Sequence, residues 1–121
     1  TGGEPLLQVD EKLVNYLKRS KYNVAVETNG TISSNIDFDW ICVSPKTPDN
    51  WLLKEGDELK IIYPQNNFNL HTLLKLKFKH FFLQPKDDNL SRINLKKTIE
   101  YCMLNKKWLL SLQLHKAIGV E

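Results

Sequence analysis

Three features of this 121-residue chain predict an α/β fold built on a parallel sheet. Short apolar runs of strand length alternate with helical patterns or helix-length connections. The runs end in polar, mostly proline-marked segments: Glu27-Thr28-Asn29, Ser44-Pro45-Lys46, Pro64-Gln65, Gln84-Pro85-Lys86-Asp87 and Gln113-Leu114-His115-Lys116. Asn29-Gly30 carries a two-residue turn signal, but residues 31–35 do not read as a partner strand, so a hairpin is not expected there. Polar groups gathered at the carboxyl ends of parallel strands are what a barrel-type site looks like in sequence. Five strands do not close a barrel, so the reading is of about half of one, with an unpaired edge that invites association.

Gly2 and Gly3 form a turn that lets a ligand approach the main chain closely. Pro5 suits a helix start, with Glu4 favourable at the positive end of the helix dipole. Leu6, Leu7, Leu13, Val14 and Leu17 then predict one helix running to about Arg19. The first strand is placed at residues 23–26. The second is Trp40 to Val43, stopped at Pro45, which has no N–H to give a ladder. Trp51 to Leu53 is expected to fold a loop back onto the body. The third strand is placed at residues 58–63, with Glu58 and Lys60 on one face. They form a solvent-facing ion pair or, if that face points inward, site residues.

Leu70, Leu73 and Leu74 predict a short helix, and residues 80–83 the fourth strand. Ser91 or Asn94 is the expected cap of the next helix. Its buried face is read as Leu95, Ile99, Cys102 and Met103, and Asn105 marks its end. The fifth strand is placed at Trp108 to His115, with leucines on one side and Ser111, Gln113 and His115 lining the other.

Composition narrows the function classes. The chain is 41% hydrophobic and 26% charged, ordinary for a single globular domain. A net charge of +3 is too small an excess to argue for nucleic acid. No apolar run approaches the ~20 residues of a membrane helix. With no signal peptide visible, a cytoplasmic location is expected. Cys42 and Cys102 both sit in apolar patterns and are read as buried free thiols. The chain starts without Met, in the middle of a Gly-rich turn, so a portion of a longer protein is expected.

The residues also carry a resemblance. Thr1-Gly2-Gly3-Glu4-Pro5 is similar to the GGE motif of radical S-adenosylmethionine enzymes. Five further blocks fit one branch of them: Glu27-Thr28-Asn29-Gly30 with Ile36-Asp37, Asp39 to Lys46, Glu58-Leu59-Lys60, Phe82 to Pro85, and Ser111 to Lys116. In that order and at those spacings they resemble the 7-carboxy-7-deazaguanine synthase family across all 121 residues. The resemblance implies that residues 1–121 are the C-terminal part of a partial (β/α)6 barrel of the radical S-adenosylmethionine type. It implies an enzyme of the 7-deazapurine pathway, a carbon–nitrogen lyase. The family turns 6-carboxy-5,6,7,8-tetrahydropterin into 7-carboxy-7-deazaguanine with loss of ammonia, using S-adenosylmethionine, a 4Fe-4S cluster and magnesium. Its implied partners are the pterin, a reductant such as flavodoxin, and a second copy of itself.

Carried over by position, Thr1 and Glu121 fall to the substrate. Gly3, Ser44, Pro45, Lys46, Gln84, Pro85, Lys86 and Asp87 fall to S-adenosylmethionine. Glu27 and His115 are candidates for the site wall, each with an equally good reading as local structure. Some positions depart from the family pattern. Lys86-Asp87-Asp88 stands where Met-Asp-Gly is usual, Leu114 replaces a Thr, and Glu121 stands where related chains often end in Pro. The cluster needs three cysteines in a CxxxCxxC-type loop, and the chain has two cysteines, 60 residues apart. These 121 residues alone are therefore expected to be inactive. A non-enzymatic nucleotide-binding or interaction relic of the same fold is the alternative.

Overall fold

In the computed structural model, which describes residues 3–120, five strands form one parallel sheet in sequential order. The strands are β1 (Ala25–Thr28), β2 (Trp40–Val43), β3 (Glu55–Tyr63), β4 (Lys77–Pro85) and β5 (Trp108–Leu110). Around them lie a 3-10 turn (Pro5–Leu7) and helices α1 (Glu11–Arg19), α2 (Leu70–Leu73), α3 (Ser91–Leu104) and α4 (Leu114–Ala117). Every neighbouring pair is parallel: Glu27 aligns with Cys42, Cys42 with Glu58, and Glu58 with His80. The absence of a hairpin at Asn29-Gly30 follows from the parallel β1–β2 pairing. An unreversed strand order is compatible with part of a barrel and leaves closure open.

One face of the sheet is apolar. Val43, Leu59, Ile61 and Leu83 have no exposed surface, and Trp51, Leu70, Leu73, Phe78 and Trp108 complete the cluster around them. Full burial of such a side chain contributes roughly 1.5–3 kcal/mol, so these few residues supply much of the drive to fold. Trp51 lies in the helix-free β2–β3 crossover and is buried in this cluster. Its indole donates to the Leu53 carbonyl at 2.6 Å and meets Phe68 edge-on. Gly30, at φ +75°, lies under it; a Cβ there would come within 2.8 Å of both Trp51 and Val43.

Several element boundaries differ from the sequence reading. The first helix is two pieces, because Asp10 caps a new start by accepting from the Leu13 N–H at 2.8 Å. Strands β1, β3 and β4 reach beyond their expected limits, since ladder pairing extends past the apolar run. Strand β5 is much shorter than residues 108–115. Its pairing with β4 stops at Leu110, and Leu112 and Leu114 are exposed rather than core.

Helix α3 turns inward a face shifted from the expected one: Cys102 does pack against the core and Leu95 is half-buried. Asn94 and Thr98 are buried, whereas Met103 is 71% exposed and Ile99 is also outside. The reason is the strand ends beneath the helix, whose polar groups need donors. The Asn94 amide donates to the Lys86 carbonyl at 3.0 Å and to Asp88 at 2.8 Å. Neither Ser91 nor Asn94 is the cap; Leu90 occupies that position with no side-chain hydrogen bond, and Asn105 closes the helix as expected.

Candidate functional site

The carboxyl ends of the strands carry three neighbouring clefts. The first, about 690 Å³, is lined by Gly3, Glu4, Glu27, Thr28, Ser44 and Lys46, among others. The second, about 590 Å³, is lined by Pro45, Lys46, Pro64, Gln65, Asn67 and Lys86, with neighbours from the same loops. The third, about 260 Å³, includes Gln84, Pro85, Lys86, Asp87, Arg92 and Lys116. Lys46 borders the first two and Lys86 the last two, so the clefts follow one another along the edge from β1 to β5.

Each group reaches this edge for a local reason. Ser44 is the first residue after β2; its N–H donates to the Thr28 carbonyl at 2.7 Å, which prolongs the ladder by one bond. Ser44 is 3% exposed, and Pro45 then turns the chain so that Lys46 leaves the sheet. The Lys46 ammonium lies 3.4 Å from the Ser44 hydroxyl. On the far side, the Lys86 N–H donates to the Tyr63 carbonyl at 2.7 Å and joins the ends of β3 and β4. Lys116 pairs with Asp87, and Lys86 with Asp88 at 3.1 Å. Asp88 is held below the ordinary carboxylate value by the Leu90 N–H and by Lys86.

The sheet face opposite the apolar cluster is polar. Glu27 and Lys60 form an ion pair of 2.7 Å that reaches across β2. Glu58 accepts from the Trp40 indole at 2.6 Å, and that indole stacks on His80. Glu58 and Lys60 thus do not pair with each other: Glu58 finds its partner on the neighbouring β2, and Lys60 finds its partner two strands away on β1. Cys42 lies among these groups, 7% exposed. Burial first, with Glu27 and Glu58 adding to it against Lys60, pushes its thiol up to about 12. Burial also raises Cys102.

Of the residues carried over from the resemblance, Gly3, Glu27, Ser44 and Lys46 share the first cleft, and Pro45 and Lys86 border the second. Gln84, Pro85, Lys86 and Asp87 line the third. Thr1 and Glu121 lie outside the described residues. His115 is not on a strand: it sits exposed in α4, because β5 has already ended. The sequence reading missed the role of Glu4, whose carboxylate holds the end of β1. Its signal was present in Glu4 standing three residues before Leu7, at a turn with free N–H groups.

Two implied groups do not fit these residues. A thiolate-held cluster has no ligand set here, since two free cysteines lie on a strand and a helix and the Cys42 thiol is kept protonated. Among the described residues, no group of three or more His, Cys, Asp or Glu side chains is placed to hold a metal ion. S-adenosylmethionine fits better. The first cleft combines two carboxylates, two hydroxyls, an ammonium and the open Gly3 backbone, where an added Cβ would meet nothing within 4 Å. Also among the described residues, no helix is long and apolar enough to cross a membrane.

Comparison with known proteins gives a consistent result. No family model matches the chain. The 7-carboxy-7-deazaguanine synthase of Bradyrhizobium diazoefficiens is 45% identical over 121 residues, all of this chain and 58% of that protein. Those of Bordetella pertussis and Burkholderia multivorans are 43% and 41% identical over 120 residues, 99% of this chain and 57% of each protein. The chain thus spans less than two thirds of the length of these relatives. Matched end to end at this identity, the chain is homologous to part of the 7-carboxy-7-deazaguanine synthases, as its motifs indicated.

Proposed function

We propose that these residues belong to a protein that converts 6-carboxy-5,6,7,8-tetrahydropterin to 7-carboxy-7-deazaguanine with loss of ammonia. The single observation that carries the reading is the identity with synthases of that name along the whole of this chain. In this reading the strand-end clefts are the S-adenosylmethionine side of a partial barrel. Gly3, Ser44 and Lys46 hold one part of that molecule, and Pro45, Gln84, Pro85, Lys86 and Asp87 hold the remainder. S-adenosylmethionine supplies the radical chemistry when it is bound.

The protein's own groups then bind and orient. Gly3, without a side chain, admits a ligand to the backbone. The Ser44 hydroxyl can both donate and accept, which suits a ribose or a carboxylate. Lys46 gives a fixed positive charge near an anionic group. Glu27 presents a carboxylate held at one oxygen by Lys60, which leaves the other for an N–H donor. The reading includes a cytoplasmic protein that acts with a reductant such as flavodoxin and associates as a homodimer.

A second reading has its own observation. With two cysteines, these residues bind no cluster by themselves, as an interaction or nucleotide-binding relic of the fold would not. The test compares the protein expressed from its whole reading frame with residues 1–121 alone. Each is reconstituted anaerobically with iron and sulfide and given the pterin and S-adenosylmethionine. The expected result is an iron–sulfur absorbance band and product from the whole protein, and neither from the 121 residues. A whole protein that binds S-adenosylmethionine without making product would favour the relic.

A further inference from the structure

Glu4 lines the first cleft, and a carboxylate in a cleft invites a role as a ligand contact. Its hydrogen bonds point elsewhere. Glu4 Oε1 accepts from the Leu6 N–H at 3.1 Å and from the Thr28 hydroxyl at 2.7 Å. Glu4 Oε2 accepts from the Asn29 N–H at 2.7 Å. A carboxylate offers about four acceptor positions, so little capacity is left for a ligand. Thr28 is 2% exposed, and its hydroxyl in turn accepts from the Gly30 N–H at 3.0 Å. A relay therefore runs from Gly30 through Thr28 to Glu4. It joins the turn at Gly3, whose φ is +90°, to the end of β1.

The inventory suits a clamp. Hydrogen bonds to an ionised acceptor are shorter and stronger than neutral ones, and two of the three measure 2.7 Å. Gly3 has no Cβ to hold it by packing, so its position depends on its neighbours. Glu4 is the adjacent residue, and it is tied to the one strand that also carries Glu27.

We propose that Glu4 is a positioning residue: its carboxylate docks the Gly3 backbone on the end of β1, with Thr28 as its partner, and does not touch the ligand. The ligand arm of this inference rests on the reading of the cleft as an S-adenosylmethionine site. The test uses the whole protein, with S-adenosylmethionine binding measured by calorimetry and amide exchange followed at Leu6 and Asn29. The variants are Glu4→Gln, Thr28→Val, Thr28→Ser and the Glu4→Gln/Thr28→Val double.

Glu4→Gln and Thr28→Val are each expected to weaken binding about tenfold, the loss of one charge-assisted bond at the clamp. Thr28→Ser restores it, and the double variant is no weaker than the weaker single, because the two residues act as one unit. Exchange at Leu6 and Asn29 speeds up in Glu4→Gln. Unchanged binding in both singles overturns the proposal. So does weak binding in Glu4→Gln with normal binding in Thr28→Val, which would make Glu4 a direct contact. If Glu4→Gln does not fold, the Thr28→Val and Thr28→Ser pair decides it. If the unaltered protein does not bind S-adenosylmethionine, the proposed function fails and the exchange data decide the clamp: retained protection in Glu4→Gln overturns it.

Discussion

At the amino ends of the strands, two carboxylates make the same pair of contacts. Asp39 accepts from the Val24 N–H at 2.8 Å and reaches Lys18 at 3.3 Å. Asp57 accepts from the Ile41 N–H at 2.8 Å and from Lys79 at 2.6 Å. Each one caps the start of the preceding strand with one oxygen and holds a lysine with the other. At the carboxyl ends, the Ser44 hydroxyl and the Lys46 ammonium have only a 3.4 Å contact with each other and face a cleft of about 690 Å³. One end satisfies its carboxylates within the sheet; at the other, where Glu4, Glu27, Lys86 and Lys116 are also paired, Ser44 and Lys46 make no further polar side-chain contact among the described residues. The difference teaches where substitutions should cost stability and where they should cost binding, the division expected for the two ends of a parallel barrel.

The largest expected effect is at the carboxyl ends. Lys46→Ala removes an exposed ammonium with no carboxylate partner within ion-pair distance among the described residues. S-adenosylmethionine affinity of the whole protein should fall about ten- to a hundredfold, as for loss of a charge-assisted contact. The urea midpoint should stay where it was. A shifted midpoint with unchanged affinity would show that Lys46 belongs to the scaffold and would erase the contrast.

Asp57→Asn makes the complementary change. Asp57 is 9% exposed and makes two charge-assisted bonds, so the loss of one of them should cost ~1–3 kcal/mol in urea unfolding. Ligand affinity should not change, because the residue lies at the far end of β3.

The same residue gives a pH signature. Lys79 first and the Ile41 N–H second hold the Asp57 carboxyl below its ordinary value of 3.8. A depressed carboxyl contributes stability that is present above the unfolded value and is lost as pH falls through the folded one. Stability should therefore decline below about pH 4, and less steeply in Asp57→Asn. Equal slopes in the two proteins would remove Asp57 as the cause.

Much of this contrast was legible in the sequence, and the reasons differ by element. Trp40 to Val43 followed by Pro45 set both a strand and its end, because proline cannot continue a ladder. The burial of Trp51 and of Cys42 followed from apolar runs. The cleft residues Glu27, Ser44 and Lys46 were found because parallel strands must present their carboxyl ends together. The face of α3 was legible only in part: Cys102 packs on the core as expected, but Asn94 and Thr98 are buried with hydrogen bonds to strand-end and helix carbonyls, and periodicity weighs only hydrophobicity. His115 was misplaced for a related reason, since the alternation of Leu110, Leu112 and Leu114 imitates a strand that the ladder does not extend to. The Glu4 clamp depends on Thr28 and Asn29, 24 and 25 residues away, and no local pattern carries such a pairing.

The smallest effect completes the contrast by testing whether charge alone makes the amino ends stable. Glu55 and Lys77 also sit at the amino ends and also form an ion pair, at 3.8 Å. Unlike Asp57, Glu55 caps no backbone N–H, and both side chains are largely exposed, at 68% and 85%. Water screens such a pair, and ordering two long side chains opposes it, so its net contribution should lie within ~0–0.5 kcal/mol. Glu55→Gln should therefore leave the urea midpoint almost unchanged at low and at high salt. If Glu55→Gln instead costs as much as Asp57→Asn, and the cost shrinks with added salt, long-range charge holds the amino ends together. If it costs almost nothing, the stabilising element is the carboxylate on the backbone N–H, and the lysines are secondary to it.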